Sequence, residues 1–203
     1  TIDNGATGGT ATLTFTDLAN DDATLTYNNT STETIDSNTS VPLSLTMNSG
    51  VTTGQIAVTN IDTDFAGFQV TSTNNFKINE ITQWGTIKWK SLRFQNTYSP
   101  LTISDTAYPD LTRCTDLSYC FYGVYFNDSN ITGWDTSNVT NMEYMFIFDF
   151  IFNQDISGWD VSSVTNMRGM FGRCNVFNYS LNSWDVSNVT TMQQMFFGQS
   201  RYR

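Results

Sequence analysis

The sequence predicts a mixed α and β chain in two parts, an N-terminal antiparallel β-sandwich over residues 1–79 and a short solenoid of strand-plus-helix coils over residues 80–203. Two observations predict it. The pattern Trp-Asp-(Thr/Val)-Ser-x-Val-Thr-x-Met-x-x-Met-Phe begins at Trp134, Trp159 and Trp184, each start 25 residues after the last. A fixed period of that size marks stacked repeats. The hydrophobic period also changes near Asn79, from two upstream of it to helical spacing downstream.

In the first part, Ala11, Leu13 and Phe15 alternate with threonines, as do Ala23, Leu25 and Tyr27, and then Val41, Leu43, Leu45 and Met47. Residues 55–58, 68–71 and 76–81 are further candidates. Asn28-Asn29, Asn48-Ser49-Gly50 and Asn60-Ile61-Asp62 break the runs. Thr-rich alternation between such breaks is the signature of short antiparallel strands with one buried and one hydroxylated face. Six or seven of them make a small sandwich of an immunoglobulin-like kind.

In the second part, Val139, Met142, Met145 and Phe146 stand at i, i+3, i+6 and i+7, and the next two repeats copy the spacing. This predicts an apolar stripe on a helix of two to three turns. Ser137, Ser162 and Ser187 precede each stripe as capping residues, and Asp135, Asp160 and Asp185 place negative charge near the positive end of the helix dipole. From Phe126-Asn127, Phe152-Asn153 and Phe177-Asn178 the chain reaches the next repeat through Ile131, Ile156 or Leu181. That segment suits a single strand, so each coil reads as one strand plus one helix, leucine-rich-repeat-like.

Counting back 25 from Trp134 gives Pro109, with Asp110, Cys114, Leu117, Cys120 and Phe121 on the familiar columns. Another 25 gives Trp84, followed by Trp89 and Leu92. Degenerate coils therefore occupy residues 80–130 and regular coils 131–203, four to five in all. A lone coil cannot offset its own ordering entropy, so stacking is obligatory. The β-domain is expected to cap the first coil. Met192, Met195 and Phe196, with Tyr202 on the column of Phe177, are followed by no polar closing helix. Either the parent protein continues there or a partner covers this end.

Composition narrows the function. Net charge is -10 with nine scattered Lys and Arg and no histidine. No basic stripe exists for phosphates, so nucleic acid is excluded as a partner. No apolar run is long enough to insert in a membrane. Without histidine there is no Ser-His or Cys-His pair and no His metal site. The only glutamates are Glu33, Glu80 and Glu143, at unrelated positions. Asp62-Thr63-Asp64 and Asn20-Asp21-Asp22 read as turns before calcium loops. The reading is non-enzymatic, with no cofactor and no metal. Three cysteines make no disulfide framework and are expected as buried thiols. The chain opens at Thr1, as a processed product or an excised piece does. Asn28, Asn38, Asn130, Asn138, Asn178 and Asn188 begin Asn-x-Ser/Thr sequons, which arise easily in a chain of this composition.

The segments Trp134-Asp-Thr-Ser-Asn-Val-Thr-Asn-Met-Glu-Tyr-Met-Phe146 and Phe152-Asn-Gln-Asp-Ile-Ser-Gly-Trp-Asp-Val-Ser-Ser-Val-Thr-Asn-Met-Arg-Gly-Met-Phe171 resemble the repeats of BspA-like surface proteins and mycoplasma-type lipoproteins. Gln83-Trp84-Gly85-Thr86-Ile87-Lys88-Trp89 resembles the way such arrays begin. The likeness covers about residues 80–203, and the first coil departs from it at Pro109, Cys114 and Cys120. It implies a secreted or displayed non-enzymatic protein, with adhesion as its role, on a cell or virion surface. It carries over no catalytic residue.

Recognition is then expected on columns that vary between coils. On the strand side these are Asn130, Asp155 and Ser180, then Thr132, Ser157 and Asn182, flanked by Gln154 and Tyr179. On the helix side they are Glu143 and Tyr144, Arg168 and Gly169, Gln193 and Gln194. The Trp column is expected to be a buried ladder in preference to a sugar platform, and the Asp column a set of caps in preference to a cation site. The first functional expectation is an extracellular interaction or adhesion module binding protein or glycan through the repeat face. The alternative is a structural virion component, a capsid decoration or surface-assembly subunit. It would contact its neighbours through the β-domain and the coil end at Met192, Met195, Phe196 and Tyr202.

Overall fold

The computed structural model describes residues 100–199 throughout, residues 80–82, 84, 88, 89, 91–94 and 98, and, before them, the backbone of nine strands. Among those strands, Gly9–Thr16 pairs antiparallel with Val41–Met47 on one side and Gly67–Ser72 on the other. Ala23–Tyr27 pairs antiparallel with Ser31–Ile35 and Ile56–Thr59. Ser31–Ile35 lies outside the segments whose alternation marks them as strands, because Ser31, Thr32 and Thr34 give it too little apolar contrast. Gly67–Ser72 also pairs in parallel with Ser91–Arg93, so this sheet shares an edge with the first coil.

From Ser91 onward the coils stack at the period of the repeat. Parallel bridges run Ser91 to Asp116, Asp116 to Asn141, Asn141 to Asn166 and Asn166 to Thr191. A second small parallel sheet, Glu80–Ile81 with Pro100–Ile103 and then Tyr125–Phe126, lines the other side of the first coils.

The segments expected to be helices are not helical. Among the described residues the one helix is the 3-10 turn Ser129–Gly133, in a segment expected to be a strand. Residues 142–149 are instead three overlapping β-turns. Met145 N–H donates to the Met142 carbonyl, Ile147 to Tyr144 and Asp149 to Phe146. Residues 117–124, 167–174 and 192–199 repeat the same three bonds. The third residue of the first and last turn is left-handed in every ribbon, as in Tyr144 at φ 54° and Phe148 at φ 63°, or Gly169 at 60° and Arg173 at 61°. A type II turn demands that conformation.

The reason for the misreading is geometric. The first and last turns bury their first and fourth residues, and the middle turn has Met145 and Phe146 at its centre, so Met142, Met145, Phe146 and Asp149 are all fully buried. Their spacing, i, i+3, i+4 and i+7, is also that of an amphipathic helix. Aromatics and Gly, both weak helix formers, fill many of the ribbon positions.

Turns leave alternate amides unused, and those amides join the coils. Met142, Tyr144, Phe146 and Phe148 donate to the carbonyls of Asn166, Arg168, Met170 and Gly172 in the next coil at 2.8–2.9 Å. The ribbons before and after do likewise. Bonds in the opposite sense come from the Thr column: Thr140, Thr165 and Thr190 donate backbone N–H and Oγ1 to Thr115, Thr140 and Thr165. The Asp column does not cap helices. Asp135, Asp160 and Asp185 each accept the amide and hydroxyl of the serine two residues on or its amide alone, closing Asx turns.

Inside the stack, Phe94, Phe121, Phe146, Phe171 and Phe196 lie face over face, with centroids 5.5–5.8 Å apart. Phe126, Phe152 and Phe177 stack on the same rings at 4.1, 3.9 and 4.5 Å. Trp134, Trp159 and Trp184 are buried beside them. The indole N–H of Trp159 and Trp184 donates to the carbonyls of Ile131 and Ile156 in the preceding coil, each at 3.0 Å. Cys114, Cys120 and Cys174 are buried free thiols.

The first coil departs from the 25-residue count. Glu80 pairs with Thr102 and Ile81 with Ile103, a register of 22, so Trp84 does not occupy the Trp column. Its buried ring instead meets Trp134 edge-on at 5.7 Å, beside the coil where Pro109 replaces an indole. Deleting a ring from the Phe stack opens a cavity that its parallel neighbours cannot close. Phe171→Ala should therefore cost about 3–5 kcal/mol in urea unfolding. A loss under about 1 kcal/mol would refute the stack as the core of the coils.

Candidate functional site

The loop face carries most of the residues expected to recognise a ligand, and most of their polar atoms already have partners within the chain. Asn130 Nδ2 donates to the carbonyls of Asp105 and Ala107 at 3.1 and 3.0 Å, and its Oδ1 accepts the Trp134 indole N–H at 3.1 Å. It thereby replaces the backbone carbonyl that receives the later indoles. Gln154 Nε2 donates to the carbonyl and the Oδ1 of Asn127, both at 2.9 Å. Asp155 Oδ1 accepts the Ser157 amide and hydroxyl, and those bonds hold its carboxyl below the ordinary range. Thr132 donates its hydroxyl to the Ser129 carbonyl, and Ser180 Oγ accepts the Asn182 amide. Thr132, Asp155, Tyr179, Ser180 and Asn182 are exposed along one side of the stack. Beside them, a Cβ added at Gly158 would meet open space.

The ribbon face is aromatic. Tyr119 lies 5.3 Å from Tyr144 and 5.8 Å from Tyr122, and Tyr122 meets Phe148 edge-on at 5.7 Å. Arg93 sits over Tyr119 and Arg168 over Tyr144, at 5.9 and 5.5 Å from the centroids. Arg93 also pairs with Asp116 at 2.7 Å, and Arg168 with Glu143 at 3.7 Å. Three outward rings lean onto a glycine of the following coil. Tyr98 lies against Gly123, Tyr108 against Gly133 and Tyr144 against Gly169, each 25 positions on. At Gly133 and Gly169 any Cβ would overlap the ring. Sequence reading missed this pairing, although Tyr followed by Gly on one column was its signal.

On the last described coil, Val186, Met192 and Phe196 are 41%, 40% and 40% exposed, whereas their counterparts Val161, Met167 and Phe171 are at most 1% exposed. Met195 stays buried at 8%. Tyr202 lies outside the described residues.

Residues 91–203, beginning at the first bridge of the ladder, match the family described as Mycoplasma protein of unknown function, DUF285. The chain belongs to the DUF285 family. No curated protein and no solved structure matches it. Among the described residues of this DUF285 chain, no three of His, Cys, Asp and Glu converge as metal ligands, and no helix is long and apolar enough to cross a membrane.

One ionisable group is out of place in the DUF285 core. Asp149 occupies the column of Val124 and Cys174 and is fully buried. Its Oδ2 accepts the Phe126 amide of the preceding coil at 2.9 Å, and Oδ1 the Ile151 amide at 3.2 Å. Burial raises its carboxyl from 3.8 to about 8, against the backbone donors that lower it. A column comparison would have flagged it, as a carboxylate among apolar residues.

The consequence for stability has a definite sign. The folded form holds its proton more tightly than the unfolded chain, so this contribution is complete below pH 3.8 and is lost as pH rises to about 8. The slope is at most about 1.4 kcal/mol per pH unit. Urea midpoints between pH 5 and 8 should fall with pH in the parent chain, and Asp149→Asn should flatten that fall. An unchanged slope in the variant would remove Asp149 as the cause.

Proposed function

We propose that this DUF285 chain is a non-enzymatic interaction or adhesion module displayed outside the cell or on a virion. In this reading an immunoglobulin-like β-sandwich carries a short repeat solenoid, and the exposed loop column binds protein or glycan. The finer likeness to BspA-like surface proteins belongs to the same proposal. The observation that carries it is a division of labour within each coil. The same turn and inter-coil bonds recur at every level. The outward residues differ from coil to coil: Thr132, Ser157 and Asn182 on one column, Gln154 and Tyr179 on another. A frame held constant under a changing surface suits recognition more than catalysis, which needs one converging set of groups.

Beads coated with the chain should adhere to an array of extracellular-matrix proteins and neutral oligosaccharides. The triple variant Thr132→Arg/Tyr179→Arg/Asn182→Arg alters exposed positions only, so thermal unfolding should not change. Adhesion should drop by about tenfold or more, the loss of some 1.4 kcal/mol of contact energy. Parent beads that adhere to nothing on the array, or a variant that adheres equally, would count against the module.

A further inference from the structure

We propose that the ribbon face binds a second copy of this chain about a two-fold axis, leaving the loop face free. This goes beyond the adhesion reading and does not depend on it. Three columns of the ribbon face carry the argument, each read down four successive coils. They are Ser118, Glu143, Arg168, Gln193; Tyr122, Ile147, Gly172, Phe197; and Gly123, Phe148, Arg173, Gly198. Ser118, Gly123 and Gly172 are buried and the remaining members part-exposed or exposed. The inter-coil bonds hold each column straight, because every ribbon is tied to the next at the same four positions.

A two-fold axis that lies in this face, along the ribbon, reverses the order of the coils and sets every column opposite itself. Placed midway between the coils of Glu143 and Arg168, it matches the face to its copy. Glu143 meets Arg168 of the second copy, and Arg168 meets Glu143. Their side chains are 23% and 45% exposed, and within one chain they are only loosely paired at 3.7 Å. Tyr122 meets Phe197, which is 52% exposed in the single chain. Phe148 meets the Arg173 guanidinium, which within one chain lies 5.4 Å from the centroid of Phe197. Moving the axis onto either coil would set Glu143 against Glu143 or Arg168 against Arg168, so like charges fix the register. Such an isologous contact closes at two copies. Four levels of ribbon are a small interface, which places the association in the transient class.

Sedimentation velocity of the full chain, from micromolar to millimolar, tests it. The parent should shift from monomer to dimer over that range. Glu143→Arg puts like charges at both pairs and should weaken the dimer by about tenfold or more, while Glu143→Arg/Arg168→Glu restores it. Phe197→Ser, at an exposed position, should weaken it without lowering the thermal unfolding midpoint. A parent that stays monomeric to millimolar overturns the proposal. So does a dimer indifferent to Glu143→Arg and Phe197→Ser, or a double charge swap that fails to restore association.

Discussion

The structure of the repeat region rests on amides that the turns do not use. In an α-helix nearly every backbone N–H is satisfied within the same segment. In the ribbons here, alternate N–H groups close turns and the others point to the next coil, where carbonyls wait at 2.7–2.9 Å. Each coil thus carries donors that only its neighbour satisfies, and a coil stacked out of register would bury them unpaired, at about 1–3 kcal/mol each. The phenylalanine stack depends on this constraint. Rings recurring every 5.5–5.7 Å and nearly parallel can form only if the backbone fixes each level in register with the last.

Much of the core was legible in the sequence, because burial follows the repeat: Val139, Met142, Met145, Phe146 and Trp159 all face inward. The secondary structure was not legible, and the cause is specific. Chained four-residue turns and an amphipathic helix bury the same positions, so periodicity alone cannot separate them. What separates them is the left-handed positions, occupied by Gly123, Gly169 and Gly198 but also by Tyr119, Tyr144 and Gln194, which hide the pattern. The register of the first coil was lost for a different reason. A three-residue shortening moves Trp84 off its column while leaving an indole near Trp134, so counting finds a tryptophan where the backbone does not place one.

The candidate site shows a similar split. Column variation pointed to Asn130, Gln154 and Asp155, yet variation does not distinguish a residue that meets a ligand from one that repairs a local irregularity. Asn130 does the latter, supplying Trp134 with the acceptor that Ile131 and Ile156 supply to the later indoles. Ring-on-glycine contacts such as Tyr108 on Gly133 were invisible to reading along the chain and plain once coils are compared vertically. Exposure with bound polar atoms leaves Thr132, Tyr179 and Asn182 as the open part of the loop face.

The ribbon bonds all run one way, from the amides of an earlier coil to the carbonyls of a later one. Sectioned between any two ribbons, the stack shows a donor surface on one side and an acceptor surface on the other. Two like sections brought together would oppose amide to amide, with the Thr-column carbonyl as the sole mismatch relief. Head-to-head contact between such stacks is thereby disfavoured, whereas head-to-tail contact would match donors to acceptors and has to be blocked by other means, as charged edges and bulges do in open β-sheets. The same directionality makes every junction interchangeable, so coils can be gained or lost in evolution without redesigning the joint.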